Sequence, residues 1–295
     1  MALFKKLLKV LMVLAVLSVL GGLGFIRYIG AWNKVFPSHV HETVPPEISA
    51  TITGPAVLLF TTTNSIRHKD AIPAGTAFFK ALGERRDWSV FHTENSAVFN
   101  TVDLARFDVV VFHNTSGDVL SDEQHAVFET WLQAGGGWVG IHAAGDGSHK
   151  DWPWYVENLV GADFTAHIMG PQFQVADVHT EAAEHPAMKD VPSVWQHEEE
   201  WYSWEKSPRP NGFTILATID EDSYSPMQKI GGAENDLHMG DHPVVWSRCI
   251  GLGRALYSAL GHQAAAYDVP EHQQLLENAL QWAMSAEACG AAQSG

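Results

Sequence analysis

Two kinds of hydrophobic pattern alternate through the first half of the chain. Short runs rich in apolar residues, which predict strands, occupy residues 56–61, 88–92, 107–113 and 138–141. Between them, residues 71–83 and 121–133 predict helices, and Ser121 with Gln124 forms the capping-box pattern of a helix start. Apolar strands that alternate with helices indicate an α/β fold whose sheet is mainly parallel.

The second half of the chain is less regular and favours strands. Residues 172–179, 199–204 and 213–219 predict three of them. Residues 244–250 and 254–260 flank a glycine-containing turn, which is the pattern of a β-hairpin. A closing helix is predicted over residues 270–284, with Pro270 at its start.

The N-terminus differs from the rest of the chain. Lys5, Lys6 and Lys9 precede an uncharged apolar stretch, residues 10–26, which Arg27 closes. This pattern predicts one membrane-spanning helix with its lysines in the cytoplasm; a cleavable signal peptide is the alternative. Under both interpretations the globular part is exported, to the periplasm or the cell exterior. The predicted division is an anchor (1–27), a linker (28–54), a domain (55–285) and a tail (286–295).

Charge and composition narrow the partners of the exported part. Beyond residue 44 the chain carries 13 Lys and Arg against 33 Asp and Glu, a net charge of −20. Such a surface repels nucleic acid and anionic lipid, so neither is an expected partner. Eleven tryptophans hint at carbohydrate, since indole faces are platforms for sugar rings. Cys249 and Cys289 are either both free or joined in one bridge.

Polar segments with at least one histidine each follow three of the predicted parallel strands: residues 62–69, 113–118 and 142–150. Ligands collect at the carboxyl ends of such strands. The segment Gly140-Ile141-His142-Ala143-Ala144 has the small residues of a strand-to-turn elbow, a geometry that usually presents Ser or Cys. Because His142 occupies the tip, the chemistry predicted here is not acyl transfer.

Seven motifs, in order over residues 55–285, resemble those of the ThuA-like family, which is named for trehalose utilisation. They are Arg67-His68; Leu120-Ser121 with Glu123-Gln124; Gly135-Gly136-Gly137 leading to the elbow and Asp146; Gly161-Ala162-Asp163-Phe164 with His167; Glu199-Glu200-Trp201-Tyr202; His242-Pro243-Val244-Val245-Trp246; and Gly253-Arg254 followed by Gly261-His262.

The resemblance implies a flavodoxin-like, three-layer sandwich of the class I glutamine amidotransferase kind, and a role in the catabolism of sugars, including disaccharides or keto-sugars. The amidotransferase relatives have cysteine where His142 stands, so glutamine hydrolysis is not expected. The family often has Asp at the position of Glu199 and Pro at that of Ile168. The N-terminal segment lies outside the shared domain.

Strand-end position and the family motifs together select the candidate site residues. The candidates for catalysis are His68, His142, His167, Glu200 and His262. The candidates for substrate binding are Arg67, Asn114, Asp146 and Tyr202. Three of the histidines, His142, His167 and His262, could instead hold a divalent metal such as zinc, because three imidazoles are a common set for such an ion.

These residues predict a membrane-tethered enzyme that acts on a sugar or sugar-derived carbonyl compound. One group would remove a proton while another group, or a metal, polarises the neighbouring carbonyl. The alternative is a noncatalytic sugar-binding or assembly module at the membrane, which would use the same pocket with Trp152, Trp154 and Trp201 as stacking faces. Residual amidotransferase activity is rejected because no thiol stands at the elbow.

Overall fold

A computed structural model of the chain describes residues 2–28, 32–52, 54–230, 232–287 and 289. Its first element is the helix α1, Ala2–Tyr28. Within its stretch Phe4–Tyr28, an 18-residue window has a mean hydropathy of 2.3, and none of that window is buried against the protein. Among the described residues, this helix is long and apolar enough to cross a membrane, which is compatible with membrane tethering.

The remaining helices and strands follow in chain order. The helices are α2 (Trp32–Val35), α3 (Ala71–Arg86), α4 (Asp122–Gln133), α5 (Pro153–Tyr155) and α6 (Pro270–Ala283). The strands are β1 (Ala56–Phe60), β2 (Ser89–Thr93), β3 (Val109–His113), β4 (Gly137–Ile141), β5 (Phe164–His167), β6 (Gln174–Thr180), β7 (Val194–Glu199), β8 (Tyr202–Trp204), β9 (Thr214–Ile219), β10 (Met227–Ile230), β11 (Ala233–Asp236), β12 (Pro243–Ile250) and β13 (Gly253–Ser258).

Nine strands form one sheet in the order β2-β1-β3-β4-β13-β12-β9-β6-β7. Strands β2, β1, β3, β4 and β13 pair in parallel, whereas the pairings from β13 onward to β7 are antiparallel. The protein therefore has an α/β fold whose central sheet is mostly parallel, as predicted, and the antiparallel strands extend it on one side. The more specific flavodoxin-like assignment stays a prediction.

Burial explains why the two parts of the sheet have different sequences. Strands β1, β3 and β4 are buried at every position, which requires the continuous apolar runs seen in the sequence. Edge strand β7 instead alternates between exposed and buried residues, as expected when only one face is covered. Helix α4 begins at Ser121 with both hydrogen bonds of the predicted capping box, to and from Gln124.

Some predicted elements are wrong. Residues 199–204 do not form one strand: β7 ends at Glu199 and β8 begins at Tyr202, and the two strands belong to different sheets. Strands β5, β10 and β11 were not predicted, and neither was β7 apart from Glu199. Since β11 is exposed at all four positions, it has no buried face to produce an apolar alternation.

The segment predicted as a linker lies against the domain. Glu42 accepts hydrogen bonds from the backbone N–H and the hydroxyl of Ser96, at 2.9 and 2.7 Å. The rings of His39 and His41 lie 2.9 and 3.1 Å from the Asp118 carboxylate, in the loop after β3. The chain between the apolar helix and the domain is therefore held in place beside the strand ends.

A disulfide joins Cys249 to Cys289. Of the two alternatives that the sequence left open for these cysteines, the structure therefore has the bridge.

Candidate functional site

The ends of the parallel strands position the first two site histidines. His142 follows β4 directly and adopts a φ of 48°, the left-handed conformation that the predicted elbow requires of a non-glycine residue. Its Nδ1 lies 2.8 Å from the carbonyl oxygen of Ala259, just beyond β13. The side chain is fully buried. The elbow therefore holds the ring in one orientation, with Nε2 directed toward the other site residues.

His262 follows β13 through a tight turn that needs glycine. Gly261 has a φ of +115°, and a Cβ atom there would lie 2.8 Å from the hydroxyl of Tyr267. The Glu199 carboxylate accepts hydrogen bonds from the backbone N–H groups of Gly261 and His262, at 2.5 and 3.2 Å. Glu199 therefore fixes the backbone that carries the His262 ring, although its own side chain is completely buried.

Four side chains converge at this point, and we call them the pocket cluster: His68, His142, Glu200 and His262. His142 Nε2 lies 2.8 Å from His262 Nδ1, and Glu200 Oε2 lies 3.0 Å from His262 Nδ1 and 3.6 Å from His142 Nε2. The His68 ring centre is 5.0 Å from that of His142 and 4.5 Å from that of His262. The topology thus joins segments that are up to 194 residues apart in the chain.

Two further predicted residues contact the pocket cluster. The Tyr202 hydroxyl lies 2.8 Å from His142 Nε2, within hydrogen-bonding distance. His167, at the end of β5, places Nδ1 3.1 Å from Glu200 Oε1. An imidazole and a phenol therefore stand next to the cluster, within reach of a bound molecule.

The cluster lies in a pocket of about 820 Å³. His68, Glu200 and His262 line it, as do His167 and Tyr202. Arg67 and Asp146 also line the wall, but each has a partner of its own: Arg67 pairs with Glu94 at 2.6 Å, and Asp146 accepts the N–H of Ser148 at 2.8 Å. The volume is within the usual range of small-molecule sites.

Burial and neighbouring charges set the protonation of the cluster. Burial lowers the pKa of His142, but its hydrogen bond with Glu200 and the charges of Glu199 and Glu200 outweigh burial, so the pKa lies above its ordinary value. Burial and the neighbouring His142 and His262 hold the pKa of His68 well below its usual range. The pKa of Glu200 falls below its usual value, because hydrogen bonds with His142 and His262 overcome burial. A carboxylate therefore persists among three imidazoles.

Asp146 shows the opposite behaviour to Glu200. Burial raises its pKa to about 6, despite the hydrogen bonds from Ser148 and the more distant charges of His142 and Lys34. Lys34 belongs to the short helix α2 and lines the same pocket. The segment that follows the apolar helix therefore contributes to the pocket wall.

One predicted binding residue lies elsewhere. Asn114 was expected to touch substrate, but it is completely buried behind the pocket. Its amide donates to the carbonyl of Gly261 at 3.1 Å and its oxygen faces the N–H of Ala143 at 3.4 Å. With a φ of 53°, Asn114 directs its side chain across the ends of β4 and β13 instead of outward.

The structure also removes the stacking faces of the noncatalytic alternative. Trp152 and Trp201 are buried, with exposed fractions of 5% and 2%. Neither they nor Trp154 are among the residues that line the pocket. An apolar face is supplied by Phe173, whose ring centre lies 5.0 Å from that of His262.

Sequence reasoning missed several residues of this site. Gln172 donates to Glu200 Oε1 at 2.5 Å, and Phe173 follows it in a loop that precedes β6. Lys34 and Glu199 also escaped notice as site residues. For Glu199 there was a signal, because it belongs to the motif Glu199-Glu200-Trp201-Tyr202, but the acidic run 198–200 is equally typical of a solvated strand edge.

The fold and site together define an α/β protein with a histidine–carboxylate cluster in a pocket at its parallel strand ends. A family model described as trehalose utilisation, ThuA, matches residues 56–283. The chain belongs to the ThuA family. Among curated proteins, none matches it.

Two solved structures of ThuA-like proteins resemble this chain. The one from Bacteroides uniformis is 27% identical with a TM-score of 0.68, and the match covers 83% of this chain and 97% of that one. The one from Parabacteroides merdae is 18% identical with a TM-score of 0.60, covering 80% and 92%. The second likeness supports the fold alone.

Proposed function

We propose that this chain is an exported, membrane-tethered enzyme of the ThuA family that performs acid–base chemistry on a sugar or keto-sugar. The observation that carries the proposal is the convergence of His142, Glu200 and His262 with Tyr202 in one pocket. Enzymes that remove a proton from a hydroxyl, or from carbon beside a carbonyl, need a base and a hydrogen-bond donor held in fixed positions. The description of the family, trehalose utilisation, supports a sugar as the substrate class.

The positions of the groups suggest how the work is divided. Glu200, His167 and His262 all reach the pocket, so each can meet a substrate hydroxyl or carbonyl directly. His142 lies beneath them and contacts Tyr202, His262 and Glu200. One pocket group accepts the substrate proton while a second donates to the carbonyl oxygen. This division is compatible with isomerisation, elimination or glycosidic cleavage of a keto-sugar.

Export and tethering form the second part of the proposal. The apolar helix α1 carries lysines at its start, and such positive charge favours the cytoplasmic side. The Cys249–Cys289 disulfide supports an oxidising compartment, since cytosolic thiols are kept reduced. Protease protection of the full-length chain in intact cells checks this topology: digestion of the domain only after the outer barrier is opened agrees with a periplasmic domain. A domain that stays protected until the inner membrane is lysed contradicts export.

Turnover of a keto-disaccharide by single variants tests the chemistry. We expect His142→Ala and Glu200→Gln each to lower kcat by about 10²- to 10⁴-fold, the usual contribution of a positioned acid or base. The matched control is His238→Asn, at an exposed histidine that pairs with Asp236 away from the pocket. Unchanged turnover in both pocket variants overturns the proposed role.

A further inference from the structure

We infer that the pocket cluster is a binding site for one divalent transition-metal ion, with His68, His142, Glu200 and His262 as ligands. This inference deepens the proposed function and uses the same pocket. One ligand atom from each of the four side chains lies within 4.8 Å of all the others. The sequence suggested His142, His167 and His262 as metal ligands; the set inferred here keeps His142 and His262, omits His167 and adds His68 and Glu200.

The spacing of the ligand atoms fits a single ion. Ligands about 2.1 Å from a tetrahedral metal are about 3.4 Å apart, and those on opposite sides of a six-coordinate ion are about 4.2 Å apart. The measured separations among His142 Nε2, His262 Nδ1 and Glu200 Oε2 are 2.8, 3.0 and 3.6 Å. Side-chain adjustments of less than 1 Å therefore bring these atoms into a coordination sphere, and adjustments of the same size bring the 4.8 Å limit for the whole group to the span of about 4.2 Å.

His142 and Glu200 each contact residues outside the cluster with one polar atom and face the proposed ion with the other. His142 Nδ1 contacts the Ala259 carbonyl, so Nε2 is the nitrogen that faces the cluster, and a metal ion there would replace its contact with the Tyr202 hydroxyl. Glu200 Oε1 accepts a hydrogen bond from Gln172 and lies 3.1 Å from His167 Nδ1, so Oε2 is the oxygen that faces His142 and His262. Metal-binding histidines and carboxylates are oriented in this manner by an outer shell of hydrogen bonds. His167 and Gln172 are positioning residues for Glu200 under this inference.

His68 supplies an independent observation. Its side chain is buried, with an exposed fraction of 9%, and its Nδ1 has no hydrogen-bond partner among the described residues. Buried polar atoms are normally satisfied, and those that are not call for an explanation such as a bound ion. His68 also packs edge-on against both His142 and His262. Three imidazoles that share one small volume with a carboxylate are readily explained by a cation between them.

The donor set selects the class of metal. Imidazole nitrogens suit zinc, iron, copper and nickel, while the carboxylate adds affinity for harder ions such as manganese. Magnesium and calcium are disfavoured, since they prefer oxygen ligands throughout. Because His68, Glu200 and His262 line the pocket, a substrate oxygen can reach the ion from that side. The ion would act as a Lewis acid that polarises a sugar carbonyl. With Glu200 and His262 bound to the ion, the proton transfer would fall to His167 or Tyr202, which also line the pocket.

Cobalt(II) binding to the tag-free, full-length chain in detergent tests the site without a substrate. After chelator treatment, we expect one equivalent of cobalt to produce the visible absorption of a nitrogen- and oxygen-ligated ion of low coordination number, and zinc to displace it. His68→Ala and His262→Ala should each weaken cobalt binding by at least 100-fold. His167→Ala should weaken it by about 10- to 100-fold, as expected for an outer-shell contact. His238→Asn should bind as the parent chain does.

Two outcomes overturn the inference: no visible cobalt spectrum in the parent chain, or cobalt binding that survives both His68→Ala and His262→Ala. The cobalt spectrum of the parent chain is measured without any variant, so it tests metal binding even if a variant misfolds. Metal binding without keto-sugar turnover supports the ion and contradicts the proposed function. Keto-sugar turnover by a chain that binds no cobalt or zinc supports the proposed function and contradicts the metal site.

Discussion

Glu199 and Glu200 are neighbours in the chain, but they belong to two buried clusters of different character. Glu200 faces the pocket cluster. Glu199 faces a rear cluster, which it forms with His197 and His272. His197 Nε2 lies 3.5 Å from Glu199 Oε2, and the His197 and His272 ring centres are 5.3 Å apart. Both clusters combine histidine with glutamate in the interior, so composition alone does not distinguish them.

The two clusters differ in the partners of their carboxylates. Glu199 accepts backbone N–H groups of Gly261 and His262, so its charge stabilises a turn. Burial raises the pKa of Glu199, but His197, His142 and the Gly261 N–H overcome burial and bring it to about 2. Glu200 contacts side chains and lines the pocket, where a ligand can replace those contacts. A buried carboxylate is therefore a candidate for chemistry when a ligand can replace its partners.

The largest test of this comparison is a matched pair of isosteric variants. We expect Glu199→Gln to lower the free energy of unfolding by about 3 kcal/mol, because one N–H at the Gly261 turn then faces an amide that cannot accept it. Glu200→Gln should cost less than half as much, since its partners border the pocket. Denaturant unfolding of the full chain, followed by tryptophan fluorescence, measures both. Equal losses of unfolding free energy in the two variants would mean that Glu200 stabilises the fold as much as Glu199 does.

The next test uses pH to examine the rear cluster. Burial, with a smaller contribution from His197, lowers the pKa of His272 to about 3 from an ordinary 6.5. The folded chain therefore binds fewer protons than the unfolded chain below pH 6.5, and stability falls as the pH decreases toward 3. For one such histidine the loss between pH 7 and pH 5 is about 2 kcal/mol.

His272→Asn should remove that part of the pH dependence. The asparagine amide can still donate to the Ala266 carbonyl, which the His272 Nδ1 contacts at 2.9 Å. Unfolding measured at pH 7, 6 and 5 compares the variant with the parent chain, and His238→Asn serves as an exposed control. A variant whose stability changes with pH as steeply as that of the parent would show that His272 is not held neutral by the fold.

The sequence predicted the parts of this molecule that depend on local pattern. Strands β1 and β3 are continuous apolar runs because they are buried on both faces, and the capping box at Ser121 is a local contact. The opposite roles of Glu199 and Glu200 were not predictable, since they depend on the break between β7 and β8. Gln172, which donates to Glu200, lies in a loop that has no hydrophobic periodicity to predict its position. Lys34 lines the pocket because of the path that the chain takes after the apolar helix, and no local pattern predicts that path.

Asn114, which is buried behind the pocket, provides the smallest test. Its side chain links the turns after β4 and β13, so it should behave as a structural residue although its type and location suggested substrate binding. Glycine tolerates the φ of 53° at this position, so Asn114→Gly removes the hydrogen bonds without adding backbone strain. We expect a loss of about 1 kcal/mol in stability, the typical contribution of a hydrogen bond, with KM for the keto-disaccharide unchanged. Asn114→Ala should cost more, because alanine disfavours a left-handed backbone by about 1 kcal/mol further. A raised KM with unchanged stability would instead place Asn114 among the residues that touch substrate. The binding site would then include a residue that is buried behind the present pocket wall.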